Sequence, residues 1–174
     1  MAFVFGYGSL LFRPDFPHVP PPRVALVRGW MRRFDQGSPD HRGTPERLGR
    51  VVTLVPHEGA ECAGAVFEIT DENEASVLAA LDHRERGGYE RCTVDAQVRG
   101  TGERVRAVTW VARTDNEFYL GPASVEAMVA QISGATGPSG TNAEYVLRLA
   151  RILGEWGIED PHVAAVANGL RARG

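Results

Sequence analysis

Strand-like runs fill the first two thirds of this 174-residue chain and helical patterns fill the last third, an order that restricts the accessible folds more than any other feature. Ala2–Gly6 is a short apolar run that ends in the glycine-rich turn Gly6-Tyr7-Gly8. Val24–Gln36, Arg50–Pro56 and Ala63–Ile69 read as further strands, and Tyr89–Val98 and Arg104–Ala112 as a pair joined around Gly100-Thr101-Gly102. One helix interrupts them, Asp71–Glu85, with Asp71 as its cap, Glu74 three residues on, and Gly87-Gly88 as its terminator. Ser124–Ile132 and Ala143–Trp156 follow as helices, the second capped by Thr141 or Asn142. Asp160-Pro161 then opens a last helix to about Arg171, proline suiting the first helical position. About six strands with one interposed helix predict an α+β fold, a curled sheet or small barrel flanked by helices.

Two segments fall outside this pattern. Arg13–Pro22 contains five prolines and suits an extended surface connection. Ser38–Gly49 is a polar stretch of twelve residues rich in turn formers, a length at which a structureless loop is usually functional or mobile.

All 19 basic residues are arginine, and the absence of lysine removes whole classes of chemistry. Schiff-base catalysis and lysine-linked pyridoxal phosphate are excluded, as are the usual phosphate-loop NTPase and kinase sites. A net charge of −3 provides no general attraction for nucleic acid or anionic lipid. Cys62 and Cys92 form no CxxC pair, which points to a reducing compartment. The opening Met-Ala-Phe-Val-Phe-Gly lacks a basic region followed by an apolar stretch, and no apolar run approaches ~18 residues. The expectation is a cytoplasmic protein with no membrane or nucleic-acid partner.

The familiar catalytic motifs are missing. His18, His41, His57, His83 and His162 have no metal-ligand spacing, so no metal is expected. Gly6–Leu11 has Leu11 where a dinucleotide fingerprint needs Gly or Ala, and neither Ser9 nor Ser139 sits in a G-x-S-x-G elbow. What remains is a backbone argument: a Gly-Tyr-Gly-Ser turn after a buried strand either points several N–H groups at a carboxylate or oxyanion, or simply turns the chain. Glu85 is the second candidate. A stripe through Ala75, Leu78 and Leu81 reaches Glu85 on the same helix face, where burial and the helix dipole both disfavour its charged form and suit a general base. Arg84 and Arg86 project to other sides and offset this only partly; the competing reading turns Glu85 out to solvent.

An ordered series of segments resembles one family. Val4-Phe5-Gly6-Tyr7-Gly8-Ser9-Leu10 comes first, then Arg33-Phe34, Gln36-Gly37-Ser38 and Asp40-His41-Arg42-Gly43. Gly49–Leu54, Leu81–Glu85, Gly87-Gly88-Tyr89 and Tyr119-Leu120-Gly121 follow, and Gly137–Gly140 with Asn142, Glu144 and Tyr145 completes the series. Over nearly its whole length the chain resembles the ChaC-type gamma-glutamylcyclotransferases, which degrade glutathione. Asp35 stands where that family commonly has a large aromatic residue, and Pro39 where it more often has threonine.

The resemblance implies that residues 1–174 form a single gamma-glutamylcyclotransferase domain, a small mixed β-barrel with helices, acting without a metal or organic cofactor. It implies cleavage of glutathione to 5-oxoproline and cysteinylglycine, with Glu85 as general base and Val4, Phe5, Gly6, Tyr7, Gly8, Ser9 and Leu10 binding the γ-glutamyl part. The substrate's own α-amine attacks the γ-carbonyl, so the protein has to fold the substrate back, move one proton and stabilise an oxyanion. Arg42 or Arg50 can pair with the terminal glycine carboxylate or else fix the loop, and Tyr119 can shape the pocket or fill the core. A small-molecule substrate and a monomer or weak dimer are expected. Asp35 keeps open an enzyme for other γ-glutamyl amino acids or γ-glutamylamines; a third reading is a non-enzymatic regulatory protein on the same scaffold.

Overall fold

The computed structural model describes all residues, 1–174. Five strands close into a barrel in the order β1-β3-β2-β4-β5: β1 Ala2–Gly6, β2 Val19–Ser38, β3 Gly49–Ile69, β4 Tyr89–Val98 and β5 Arg104–Ala112. With four helices beside these strands, the expected α+β class holds. The barrel is mixed: β1 runs antiparallel to β3 and β2 to β4, while β1 is parallel to β5.

The chain divides into two compact units. The first comprises Met1–Met31 and Leu54–Val111, and contains β1, most of β3, β4, nearly all of β5 and helix α1, Asp71–Arg84. Its strands bury alternate residues, as in Val94, Ala96 and Val98 of β4 and Val105 and Ala107 of β5. Helix α1 buries Val77 and Leu81, with Leu78 half-buried and Ala75 exposed, so the apolar stripe is rotated from the one drawn through Ala75. Its N-cap is Thr70 rather than Asp71, and Asp71 faces the Met1 amino group instead.

Arg32–Thr53 and Ala112–Gly174 form the second unit. It carries three helices, α2 Val125–Ser133, α3 Asn142–Glu155 and α4 Pro161–Arg171, and a two-residue hairpin, β6 Thr136–Gly137 with β7 Gly140–Thr141. Ser124, Thr141 and Asp160 cap the three helices through their side chains, accepting from the N–H groups of Ala127, Glu144 and Val163. Met128, Ile132, Val146, Leu149, Val166 and Ala167 are fully buried and form the helical core.

Two strands are longer than their sequence patterns. β2 begins at Val19 because Pro20, Pro21 and Pro22 occupy its exposed start, where a missing N–H costs no ladder bond. β3 continues through the exposed stretch Pro56–Gly59, where the hydrophobic alternation disappears but the backbone pairing persists.

In the second unit, His162 Nε2 accepts the Phe34 N–H at 3.1 Å, which requires a neutral ring. Burial pushes its pKa down to about 4, helped by Arg33, Arg50 and Arg32 and opposed by Asp160. Above the ordinary histidine pKa the ring is neutral in both folded and unfolded chains, so the bond is kept at no protonation cost. As pH falls from about 6.5 to about 4 the unfolded chain gains a proton that the folded chain resists, and stability drops. Denaturant midpoints measured across this window are expected to fall in the native protein and to flatten in His162→Gln.

Candidate active site

In the first unit, β1 delivers the Gly-Tyr-Gly-Ser segment. Two hydroxyls fix its end against β5: Thr109 Oγ1 donates to the Phe5 carbonyl at 2.8 Å, and Tyr7 Oη to the Trp110 carbonyl at 2.6 Å. Tyr7 is thereby committed to the scaffold through its side chain. On the other side of β1, Gly64 of β3 allows a close approach, since a Cβ there would lie 2.2 Å from the Gly6 carbonyl oxygen.

A single 3₁₀ turn, Ser9–Leu11, follows. Its bonds run from the N–H groups of Leu11, Phe12 and Arg13 to the carbonyls of Gly8 and Ser9. None of the turn's own bonds uses the N–H groups of Gly8, Ser9 or Leu10, the donors that a helical start leaves over. Gly8 and Ser9 are partly exposed.

Glu85 is the C-cap of α1, with its side chain one-fifth exposed. The same unit therefore holds both the backbone donors and the carboxylate. The end of α1 is anchored one turn earlier, where Asp82 accepts from Trp110 Nε1 at 2.9 Å and from Arg91 Nε at 3.0 Å. The Arg91 bond holds the Asp82 carboxyl below its usual range, aided by Trp110.

Arg84 joins the two features, and sequence reasoning missed this. Its Nη2 donates to Ser9 Oγ at 3.0 Å, its Nη1 to the carbonyls of Arg13 and Pro14 at 3.0 and 3.3 Å, and its Nε lies 3.6 Å from Glu85 Oε1. Rather than projecting away, it is the cation beside Glu85. The available signal was its place next to Glu85 at a helix end; its direction depends on carbonyls 70 and 71 positions away in sequence.

The second unit holds Arg42, Arg50 and Tyr119. The Ser38–Gly49 loop is built rather than loose: Ser38 Oγ accepts from the N–H of Arg42 at 2.9 Å, and Thr44 and Arg47 exchange backbone bonds. A Cβ on Gly43 would lie 2.1 Å from the Gly49 nitrogen, so the loop folds back on itself there. Arg42, buried, donates to the Thr141 carbonyl at 3.1 Å and to Glu144 at 3.2 Å. Arg50, also buried, donates through Nη1 to the carbonyls of Phe34 and Gly121 and through Nε to Gln131. Tyr119 lies on the short strand-like segment that pairs with Asp35–Gly37, and its hydroxyl is 3.5 Å from Asp35 Oδ2. No group of three or more His, Cys, Asp or Glu side chains gathers in metal-binding geometry.

A family model for ChaC-like proteins matches residues 2–173. The chain belongs to the ChaC-like family. It is 41% identical over 175 residues to a Danio rerio protein named glutathione-specific gamma-glutamylcyclotransferase 1, covering 98% of this chain and 89% of that one. The Homo sapiens protein of the same name is 40% identical, with 97% and 78% covered. A crystal structure of a yeast gamma-glutamyl cyclotransferase specific to glutathione superposes with a TM-score of 0.89 at 27% identity, covering 98% and 96%. The family read from the motifs is the family found.

Within this ChaC-like chain, Asp35 is the unusual side chain. It is buried, and its Oδ1 has no hydrogen-bond partner. Burial pushes its carboxyl above the ordinary range against the pull of Arg33, Arg50 and Tyr119, so the fold loses stability as pH rises from the ordinary carboxyl value to the raised one, and the loss is complete above it. Asp35→Asn is expected to raise the neutral-pH stability by about 1 kcal/mol. The gain should shrink toward acid pH, where the native carboxyl is protonated; thermal denaturation at several pH values checks both.

Proposed function

We propose that this protein is a glutathione-specific gamma-glutamylcyclotransferase, releasing 5-oxoproline and cysteinylglycine, and that residues 1–174 act as one such domain in the cytoplasm. The observation that carries the reading is the juxtaposition of Ser9 and Glu85 through Arg84 within one unit of a chain related over its full length to glutathione-specific enzymes. No helix is long and apolar enough to cross a membrane.

The reaction asks little of side chains. In a γ-glutamyl amide the α-amine is tethered to the carbonyl it attacks, so holding the chain folded back lowers the barrier by several kcal/mol. Glu85 takes the proton from the α-ammonium and passes it to the leaving amine. The N–H groups of Gly8, Ser9 and Leu10 are donors for the two anionic parts, the substrate carboxylate and the oxyanion, and need no reorganisation because β1 and the 3₁₀ turn hold them. Val4 and Phe5, fully buried, and Gly6 and Tyr7 fix that cradle from behind.

Arg42 and Arg50 contribute indirectly in this reading. Their guanidinium groups are engaged with carbonyls, Glu144 and Gln131, so they set the Ser38–Gly49 loop and the segment that carries Tyr119.

Purified protein incubated with glutathione is expected to yield both products by mass spectrometry, and absence of both at high enzyme concentration would refute the proposal. Glu85→Gln should fold and bind substrate yet lose turnover by about 10²–10⁴-fold. Near-native activity in that variant would remove Glu85 from the base role. Rates on γ-glutamylalanine and a γ-glutamylamine comparable to that on glutathione would instead mark a broader γ-glutamyl enzyme.

A further inference from the structure

We infer that Arg84 is the positioning residue of this site: one guanidinium sets the Ser9 hydroxyl as a donor, clamps the chain behind the turn, and places a fixed charge beside Glu85. The inference rests on the reading of Glu85 as base and of the Gly8–Leu10 donors as the anion cradle.

Each role follows from a contact. Nη2 donates into Ser9 Oγ, so that oxygen acts as acceptor on the Arg84 side and its own hydrogen is directed away from the cation. The hydroxyl becomes a further donor beside the spare N–H groups of Gly8, Ser9 and Leu10. Nη1 spans the carbonyls of Arg13 and Pro14, which fixes the segment leaving the turn to the C-terminal end of α1. Nε, 3.6 Å from Glu85 Oε1, is in ion-pair range and beyond good hydrogen-bond length. A permanent cation at that distance favours an ionised carboxylate, the form that accepts a proton.

These three tasks need the rigid fork of an arginine. An ammonium is a single compact charge and cannot reach Ser9, the two carbonyls and Glu85 in one geometry. Asp15, 3.9 Å from Nη1, restrains the guanidinium from its exposed side.

The test compares kcat, KM and Tm for the native protein, Arg84→Ala, Arg84→Lys, Ser9→Ala, Ser9→Ala with Arg84→Ala, and Glu85→Gln, all with glutathione. Arg84→Ala is expected to lower kcat by about 100-fold while KM moves by less than about threefold. Millimolar guanidinium should restore kcat in Arg84→Ala by at least about tenfold, with no effect on Glu85→Gln. The Ser9 and Arg84 effects on kcat should be strongly non-additive, because the two groups share one bond.

A residue needed only for folding would lower Tm without a kcat deficit in the folded fraction and without guanidinium rescue; either result overturns the inference. Should Arg84→Ala fail to fold, Arg84→Lys decides: a kcat loss at near-native Tm supports the positioning role, and native kcat refutes it. An active Glu85→Gln would overturn the base reading and the role of Arg84 beside it, while the Ser9–Arg84 coupling and the rescue would still decide its role at the turn.

Discussion

The double pairing of β1 is the constraint on which the candidate site depends. This five-residue strand pairs with β3 along its whole length and with β5 at Val4, so its register is held from both sides. The hydroxyls of Thr109 and Tyr7 then tie the strand end to β5 in opposite directions, one donating to β1 and the other from it. A turn that starts from such an end inherits its position. That matters for a cradle made of peptide N–H groups, because backbone donors cannot adjust by changing rotamer as a side chain does. Their value to a developing oxyanion lies in being in place before the charge appears.

A chain whose only strong cation is arginine also solves its burial problem in a particular way. Arg50 illustrates it: its guanidinium reaches Phe34, Gly121 and Gln131, while its backbone exchanges two bonds with Asn142. Arg32, also buried, is neutralised by Asp160, the residue whose other oxygen caps α4. The planar fork of Arg50 satisfies several acceptors at once, and Arg32 meets a carboxylate; both lower the cost of removing a charge from water. Burial still lowers the Arg50 pKa, with Asp35 opposing the shift. The absence of lysine thus leaves a structural imprint: buried cations act as multi-point ties between segments distant in sequence.

The sequence exposes features whose cause is local. Caps at Ser124, Thr141 and Asp160, proline at the first position of α4 and the alternation in β4 and β5 are written within a few residues of where they act. The middle of β3 was hidden because Pro56–Gly59 faces solvent, so ladder pairing continues without a hydrophobic signal. The order in Ser38–Gly49 was hidden too, because Arg42 meets Thr141 and Glu144 about a hundred residues away. Glu85 and the turn were legible as chemical types, and their meeting point at Arg84 was not. That connection spans 75 positions and depends on how α1 is anchored through Asp82.

The end of α1 sets two opposing influences on the carboxylate. The negative end of the helix dipole disfavours a charged Glu85, while the guanidinium of Arg84 favours it. Neither alone suits the proposed role, in which Glu85 accepts a proton from an ammonium and then releases it to a leaving amine. A carboxylate held too firmly in its charged form would be a poor base, and one kept protonated would be no base at all. Arg84 donates to Ser9 and two carbonyls as well as lying beside Glu85. In the proposed reaction, the same bonds that fix the anion cradle therefore lie beside the base, and a change at either end is felt at the other.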